Sequence, residues 1–370
     1  MGGSIPPIIF RLFIDKKKNF IIFIIIIIII NCTMQLLYIF FLLFNFDLLS
    51  ANEINLFTTR HYESDNNLYK IFEKETGIKV NVISGKSKPL EKRILEEDKD
   101  CIGDVFFLAD AGRLASAEKK KVFQKINSRV LKQTIPKQFR NDYWFGLTKR
   151  ARIFYYNPKR IMEEEIEGLS YEDLARKKWK NRVVIRQSNN VYNQSLVSSL
   201  IEINGEKETR KWLKGFVNNF ARDPQGNDRA QILAVAAGEA DIAIANTYYY
   251  ALMLSGKKGA SQKKAAQKVK PFFPNQNNRG THMNISGAGI LRFSPNKDNA
   301  IKFLEFLISP VAQTHLSNNT FEYPMLENIK INELIKKIGI NFKQDNSISV
   351  SSYGKWQKKS FMLMKEAGWN

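Results

Sequence analysis

The chain places phenols at three points where they could act together. In ADIAIANTYYY an apolar strand candidate, Ala240 to Ala245, runs straight into Tyr248, Tyr249 and Tyr250. Tyr62 follows the strand candidate EINLFTT, and Tyr192 follows RVVIRQ. With 13 tyrosines in the chain, three strand ends that each deliver a phenol exceed what composition predicts. A phenol has a pKa near 10, so ionising one at neutral pH costs roughly 4 kcal/mol, at about 1.36 kcal/mol per unit. Several phenolates side by side also repel one another. A small, triply charged cation that prefers anionic oxygen offsets both costs, and ferric iron is such a cation. Calcium and magnesium sites draw on carboxylates and carbonyls, and zinc sites on His and Cys. Arg60, Arg152 and Arg186 are the basic neighbours available to stabilise phenolates.

Each candidate also has a plainer use. A tyrosine at a strand end can simply pack its ring and hydrogen-bond its hydroxyl. Tyr155, Tyr156, Tyr171 and Tyr323 are read this way, and so is Tyr250, which leads into an apolar segment. His61, next to Tyr62, has three readings: a ligand, a donor to a ligand, or a solvated side chain. His282 and His315 are read as structural.

Positioning such phenols needs strands that all end on one side. From Glu53 a βα rhythm begins: EINLFTT, the helix SDNNLYKIFEKETG, IKVNVI, the helix KPLEKRILEED, GDVFFLAD and the helix AGRLASAEKKKVF. This alternation predicts a mainly parallel sheet covered on both faces. FGLTKRARIFYY reads as an extended crossing between lobes. A second α/β unit follows, with the helix SYEDLARKKW, the strand RVVIRQ and the helices NQSLVSSLIEING and GEKETRKWLKGFVNNF. NDRAQILAVAAG and the strand ADIAIAN complete it, before a basic, turn-rich loop over 256–280. THMNISGAGIL reads as a strand, NKDNAIKFLEFLIS as a helix, and the tail holds FEYPML and a helix near NELIKKIG. The elements suggest an α/β fold of two lobes joined by extended crossings, each lobe a mixed, mainly parallel sheet flanked by helices. Lobe 1 is drawn as 52–149 with 277–309, and lobe 2 as 150–276 with 310–370. Ligands of open α/β sheets sit beyond the carboxyl ends of strands, which is where these phenols fall.

The composition fits a globular chain: 370 residues, 44% hydrophobic and 25% charged. Residues 1–51 combine a basic flank with the apolar runs FIIFIIIIIII and MQLLYIFFLLF. They read as an export signal ending near Ala51, with a retained anchor over 20–49 as the alternative. Removal of that segment leaves Cys101 alone, so neither an internal disulfide nor a cysteine metal site is available. Net charge is +21, and beyond residue 51 there remain 53 Lys and Arg against 34 Asp and Glu. The lysines are spread along the chain without interleaved aromatics, so a nucleic-acid partner is not expected.

The stretch LFTTRHYESDNNLYKIFEKETGIKVNV resembles the opening of mature ferric-iron-binding periplasmic proteins, the substrate-binding components of iron ABC transporters. DVFFLADAGRL, WFGLTKRARIFYYNP, VYNQSLVSSLI, PQGNDRAQILAVAAGEADIAIANTYYY, GTHMNISGAGI and FLEFLISPVAQ carry the resemblance through most of 52–330. It implies the two-lobed, type II periplasmic-binding-protein fold, with iron(III) in the cleft between the lobes. The family's ligand tyrosines fall onto Tyr62, Tyr192, Tyr248 and Tyr249, and its nearby histidine onto His61. It further implies a monomer in the periplasm, delivery to an inner-membrane ABC permease and no enzymatic activity. Some relatives carry an arginine shortly after the tyrosine pair. Here Ala251 and Leu252 follow Tyr250, which leaves Arg152, with Arg60, as the cation behind the phenols.

The alternative is a binding protein of the same fold for an oxyanion or a polyamine. An oxyanion would use Ser64, Ser195 or Thr247 with helix N-terminal N–H groups, and four tyrosines would then have no purpose. SGKSKP resembles a phosphate loop faintly, but Val80 stands where that loop needs glycine.

Overall fold

The computed structural model describes residues 20, 24–25, 27–35, 52–60 and 62–370. Residues 53–370 form one unit and 1–52 another. Apart from Asn52, a bend, the described residues of the shorter unit are helical, and all are exposed; most of the expected signal segment lies outside them. Among the described residues no helix is long and apolar enough to cross a membrane.

The larger unit is built on nine strands. They are β1 (Glu53–Thr58), β2 (Lys79–Ser84), β3 (Val105–Ala109), β4 (Trp144–Tyr156), β5 (Val183–Val184), β6 (Ile242–Asn246), β7 (Lys270–Phe272), β8 (Met283–Ile290) and β9 (Tyr323–Pro324). The path runs β2-β1-β3-β8-β4-β6-β5, with β7 and β9 also paired to β4. The β1–β2, β1–β3 and β5–β6 pairs are parallel, and every pair made by β4 and β8 is antiparallel. β4 is the predicted crossing. Its first part, Trp144 to Ala151, pairs with β8, and its second, Arg152 to Tyr156, pairs with β6. Its thirteen residues are nearly all buried, as expected of a strand covered on both faces.

The helices used below are α1 (Glu63–Thr76), α2 (Ser87–Glu97), α3 (Ala111–Lys119), α4 (Val191–Val217), α5 (Asp228–Ala237), α6 (Thr247–Leu254), α7 (Lys297–Leu307), α8 (Pro310–Thr320) and α9 (Ser352–Glu366). The buried faces of α1 and α7 meet over β1 through Phe72 and Phe303, with ring centroids 5.1 Å apart. Trp179, Trp212, Phe216 and Trp369 gather into a second apolar cluster.

The two helices expected around residue 205 are present as the two parts of α4, separated where Gly205 takes φ 79°. Four other local features differ from the expectations or add to them. Helix α6 follows ADIAIAN directly, from Thr247, because TYYYALML contains neither glycine nor proline to stop it. The segment 256–280, expected as a loop, contains a short helix, Ala260–Ala266, and strand β7. SYEDLARKKW forms two short 3₁₀ turns instead of one helix. Helix α9 was not anticipated. It lies against both α3 and α4, and Gly354 lets it approach: a Cβ there would lie 2.4 Å from that of Ala115.

Candidate functional site

Three chain segments bring the phenols together. The first is the exit from β1. Tyr62 is the extended N-cap residue of α1, and its side chain makes no capping bond. Two residues earlier, Arg60 is fixed by Asp65, whose carboxylate accepts from Nε at 2.7 Å. The Arg60 guanidinium lies over the Tyr62 ring and over that of Phe107, 4.9 Å from each centroid. His61 lies outside the described residues.

The second segment is the start of α4. Asn190 caps this helix by accepting from the Tyr192 N–H at 3.0 Å, which fixes where Tyr192 points. The third is the junction of β6 and α6. Asn246 is the N-cap residue of α6 but makes no side-chain cap, since its carbonyl oxygen accepts from Arg152 instead. Tyr248 and Tyr249 therefore lie in the first turn of α6, with ring centroids 4.1 Å apart. The Tyr248 hydroxyl donates to that of Tyr192 at 3.3 Å. Tyr62 and Tyr248 line the same cavity of about 660 Å³, together with Lys70, Lys257 and Asn319.

The electrostatics of these groups are mutual. Burial pushes the Tyr62 phenol well above its ordinary value; Glu322, Tyr249 and Tyr192 push the same way and Arg60 opposes. Tyr248 is raised by burial first, then by Tyr192, Tyr249 and Tyr62, with Arg150 opposing. Tyr249 is raised by burial, then by Tyr192 and Asp228, with Arg186 opposing. At neutral pH these phenols hold their protons. Among the described residues no group of three or more His, Cys, Asp or Glu side chains could hold a metal ion. Phenol oxygens are the donors this cleft offers.

The remaining tyrosines of the triplet and of β4 do something else. The Tyr250 hydroxyl donates to the Val269 carbonyl at 3.0 Å, and its ring packs on Tyr155 at 4.8 Å. Tyr171 and Tyr323 donate to the carbonyls of Arg152 and Gly339. His282 is buried, with Nδ1 at 3.1 Å from Ser199 Oγ, and His315 Nε2 bonds the Ser64 carbonyl at 2.8 Å.

The arginines divide their work. Arg152 is fully buried and held by Asp228, Asn193 and Asn246, so it braces the residues beside Tyr192 and before α6. Arg186 pairs with Asp228 and lies 5.7 Å from the Tyr192 centroid. Sequence reasoning missed Arg150, whose guanidinium is closer to that ring at 5.3 Å, and it missed the two carboxylates, Asp228 and Glu322. One signal was present. Arg150 and Arg152 are two apart in β4, so strand periodicity puts them on one face. Nothing comparable marked Glu322, which is two residues past the end of α8 in a stretch read only as tail.

Residues 58–314 match the bacterial extracellular solute-binding protein family. The chain is 47% identical over 319 residues to iron uptake protein A1 of Synechocystis, covering 86% of this chain and 87% of that one. A Trichodesmium protein solved in complex with iron and citrate ligands superposes with a TM-score of 0.83 at 48% identity, covering 86% of this chain and all of that one. The ferric binding protein of Campylobacter jejuni superposes with a TM-score of 0.79 at 36% identity, over 86% of this chain and all of its own.

Proposed function

This chain belongs to the bacterial extracellular solute-binding protein family, and within it we propose that the protein binds ferric iron through Tyr62, Tyr192, Tyr248 and Tyr249. The observation that carries this reading is the convergence of four phenols from three segments. Two of the hydroxyls meet at 3.3 Å, and arginines lie against the rings. Iron enters the cleft between the lobes, drawn as 52–149 with 277–309 and 150–276 with 310–370. As it binds, the phenols release their protons and the lobes close. His61, adjacent to Tyr62 in the chain, is a further donor in this proposal. The names of the relatives, iron uptake and ferric-binding proteins, support the same cargo.

The protein works in the periplasm as a monomer after export, and hands iron to an inner-membrane ABC permease. It performs no catalytic step. An oxyanion reading is disfavoured because it gives the four phenols no role and because Ser195, one of the hydroxyls it would use, already donates to Asp110 at 2.9 Å. A polyamine would need unpaired carboxylates, and the two buried beside the phenols, Glu322 and Asp228, are bound by arginine. The test is to add ferric citrate to residues 52–370 and record the visible spectrum. A tyrosinate-to-iron charge-transfer band supports the reading; a colourless, iron-free protein refutes it.

A further inference from the structure

The side chain of Glu322 is almost fully buried, 3% exposed, yet it touches no phenol. Its Oε2 accepts from Arg60 Nη1 at 2.8 Å and its Oε1 from Arg150 Nη1 at 3.3 Å. The Ser286 hydroxyl donates to Oε1 at 2.8 Å, and that of Thr320 to Oε2 at 3.3 Å. The two arginines face different phenols. Arg60 lies over Tyr62, on the β1 side, and Arg150 over Tyr192, on the α4 side. One carboxylate therefore ties the support of one lobe's phenol to that of the other's.

The backbone is arranged for this. Phe321, immediately before Glu322, takes φ 59°, a left-handed conformation that a non-glycine residue rarely adopts. Such strain persists where the surroundings require it. The β9–β4 register, Thr148 opposite Pro324, then sets Glu322 beside Arg150. Arg150 keeps Nε and Nη2 buried without a hydrogen-bond partner, so part of its charge is left for the cage.

Behind the phenols the ion-paired charges nearly cancel, while Lys70, Lys257, Lys258 and Glu63 line the open cavity as exposed, solvated side chains. Arg60, Arg150, Arg152 and Arg186 pair with Asp65, Glu322 and Asp228, which leaves one net positive charge. The next carboxylate out, Asp110, faces both Arg113 and Arg150. Four phenolates around a trivalent ion carry one net negative charge, which this shell neutralises. Around a divalent ion they carry two, and one stays uncompensated in a site shielded from water.

On the four-phenol reading above, we propose that Glu322 is a positioning residue that couples the two halves of the cage and sets its preference for a trivalent over a divalent ion. Replacing it by a neutral group raises the charge of the shell and favours the divalent ion. Removing Arg150 lowers that charge and disfavours it.

The experiment is spectroelectrochemical titration of the iron-loaded full chain, in which the electrode supplies the single electron. Glu322→Gln should change the iron(III)-to-iron(II) affinity ratio at least tenfold, raising the midpoint potential by about 59 mV or more for this one-electron couple. Arg150→Gln should move it the opposite way, and Glu322→Asp should stay near wild type. A purely structural role would not give shifts of opposite sign. Arg150→Gln leaves Glu322 paired with Arg60, so this arm decides the matter if Glu322→Gln does not fold. A coloured wild type whose Glu322→Gln and Arg150→Gln variants keep its potential, or shift it in the same direction, overturns the role of Glu322 alone. A colourless wild type overturns the four-phenol reading and this role with it.

Discussion

Tyr249 and Tyr250 are neighbours in the chain and opposites in the fold. Tyr250 turns its hydroxyl to a backbone carbonyl, as do Tyr171, Tyr323 and Tyr353. Tyr62, Tyr192, Tyr248 and Tyr249 form the other set. Among the described residues no carbonyl accepts from their hydroxyls, and their rings lie against one another and against arginine. A phenol whose proton a carbonyl holds is committed to the fold. A phenol whose proton meets another phenol can give it up when a cation arrives. The partner of the hydroxyl, more than the burial of the ring, separates these two sets; Tyr155, expected to bond its hydroxyl, is buried with no partner for it and belongs to neither.

The largest effect should come from crossing that line in the cleft. Tyr192→Phe or Tyr249→Phe removes a donor, and iron affinity should fall by more than roughly 100-fold, the upper range for losing only an outer-shell partner. Titration against a competing chelator measures it; wild-type affinity in both variants would mean the site is elsewhere.

Acid should separate the sets next. Burial raises Tyr62, Tyr248 and Tyr249 above the ordinary phenol value, so all three are protonated in the iron-free protein at neutral pH. Binding then releases their protons, and affinity should drop about tenfold per pH unit for each proton released. Calorimetry in buffers of different ionisation enthalpy counts those protons. Affinity independent of pH would contradict phenolate binding.

In the packed region, acid acts on stability instead. Burial is the main cause that lowers His282 from 6.5 to about 3, with Arg152, Arg279 and Arg150 adding to it. Its folded value is depressed, so the neutral form is favoured in the fold. Stability is complete above pH 6.5 and declines as pH falls from there toward 3. Denaturant unfolding of the iron-free protein should show a loss of about 2 kcal/mol between pH 7 and pH 5, at about 1.36 kcal/mol per unit. His282→Phe, which keeps a ring on Tyr353, should remove that slope. An unchanged slope in this variant would move the cause elsewhere.

The smallest effect belongs to Tyr250→Phe. It deletes one hydrogen bond to Val269, costs about 1 kcal/mol of stability and leaves iron affinity unaltered. A fall in affinity here would erase the distinction between the two sets.

The phenols were legible in the sequence because strand ends announce themselves: an apolar run stops, and the next residues belong to the cleft. The crossing strand was legible as a long extended stretch without glycine or proline at its centre. Arg152 and Arg60 could be named from chain proximity, but their partners could not. Glu322 lies 262 residues from Arg60 and 172 from Arg150; the β9–β4 register brings it to Arg150, and only the packed fold brings it to Arg60. Helix α9 was missed for a related reason. Its partners α3 and α4 are far away in the chain, and no local cap marks its start. What local pattern encodes could be read; what depends on long-range pairing could not.

The most direct test of the central claim is a spectral titration of the Tyr248→Phe/Tyr249→Phe double variant beside Tyr250→Phe and wild type, with ferric citrate added to each. Wild type and Tyr250→Phe should develop the same tyrosinate-to-iron band and saturate at one iron per chain, while the double variant stays colourless. A double variant that colours like wild type would contradict the assignment of these phenols to the cleft.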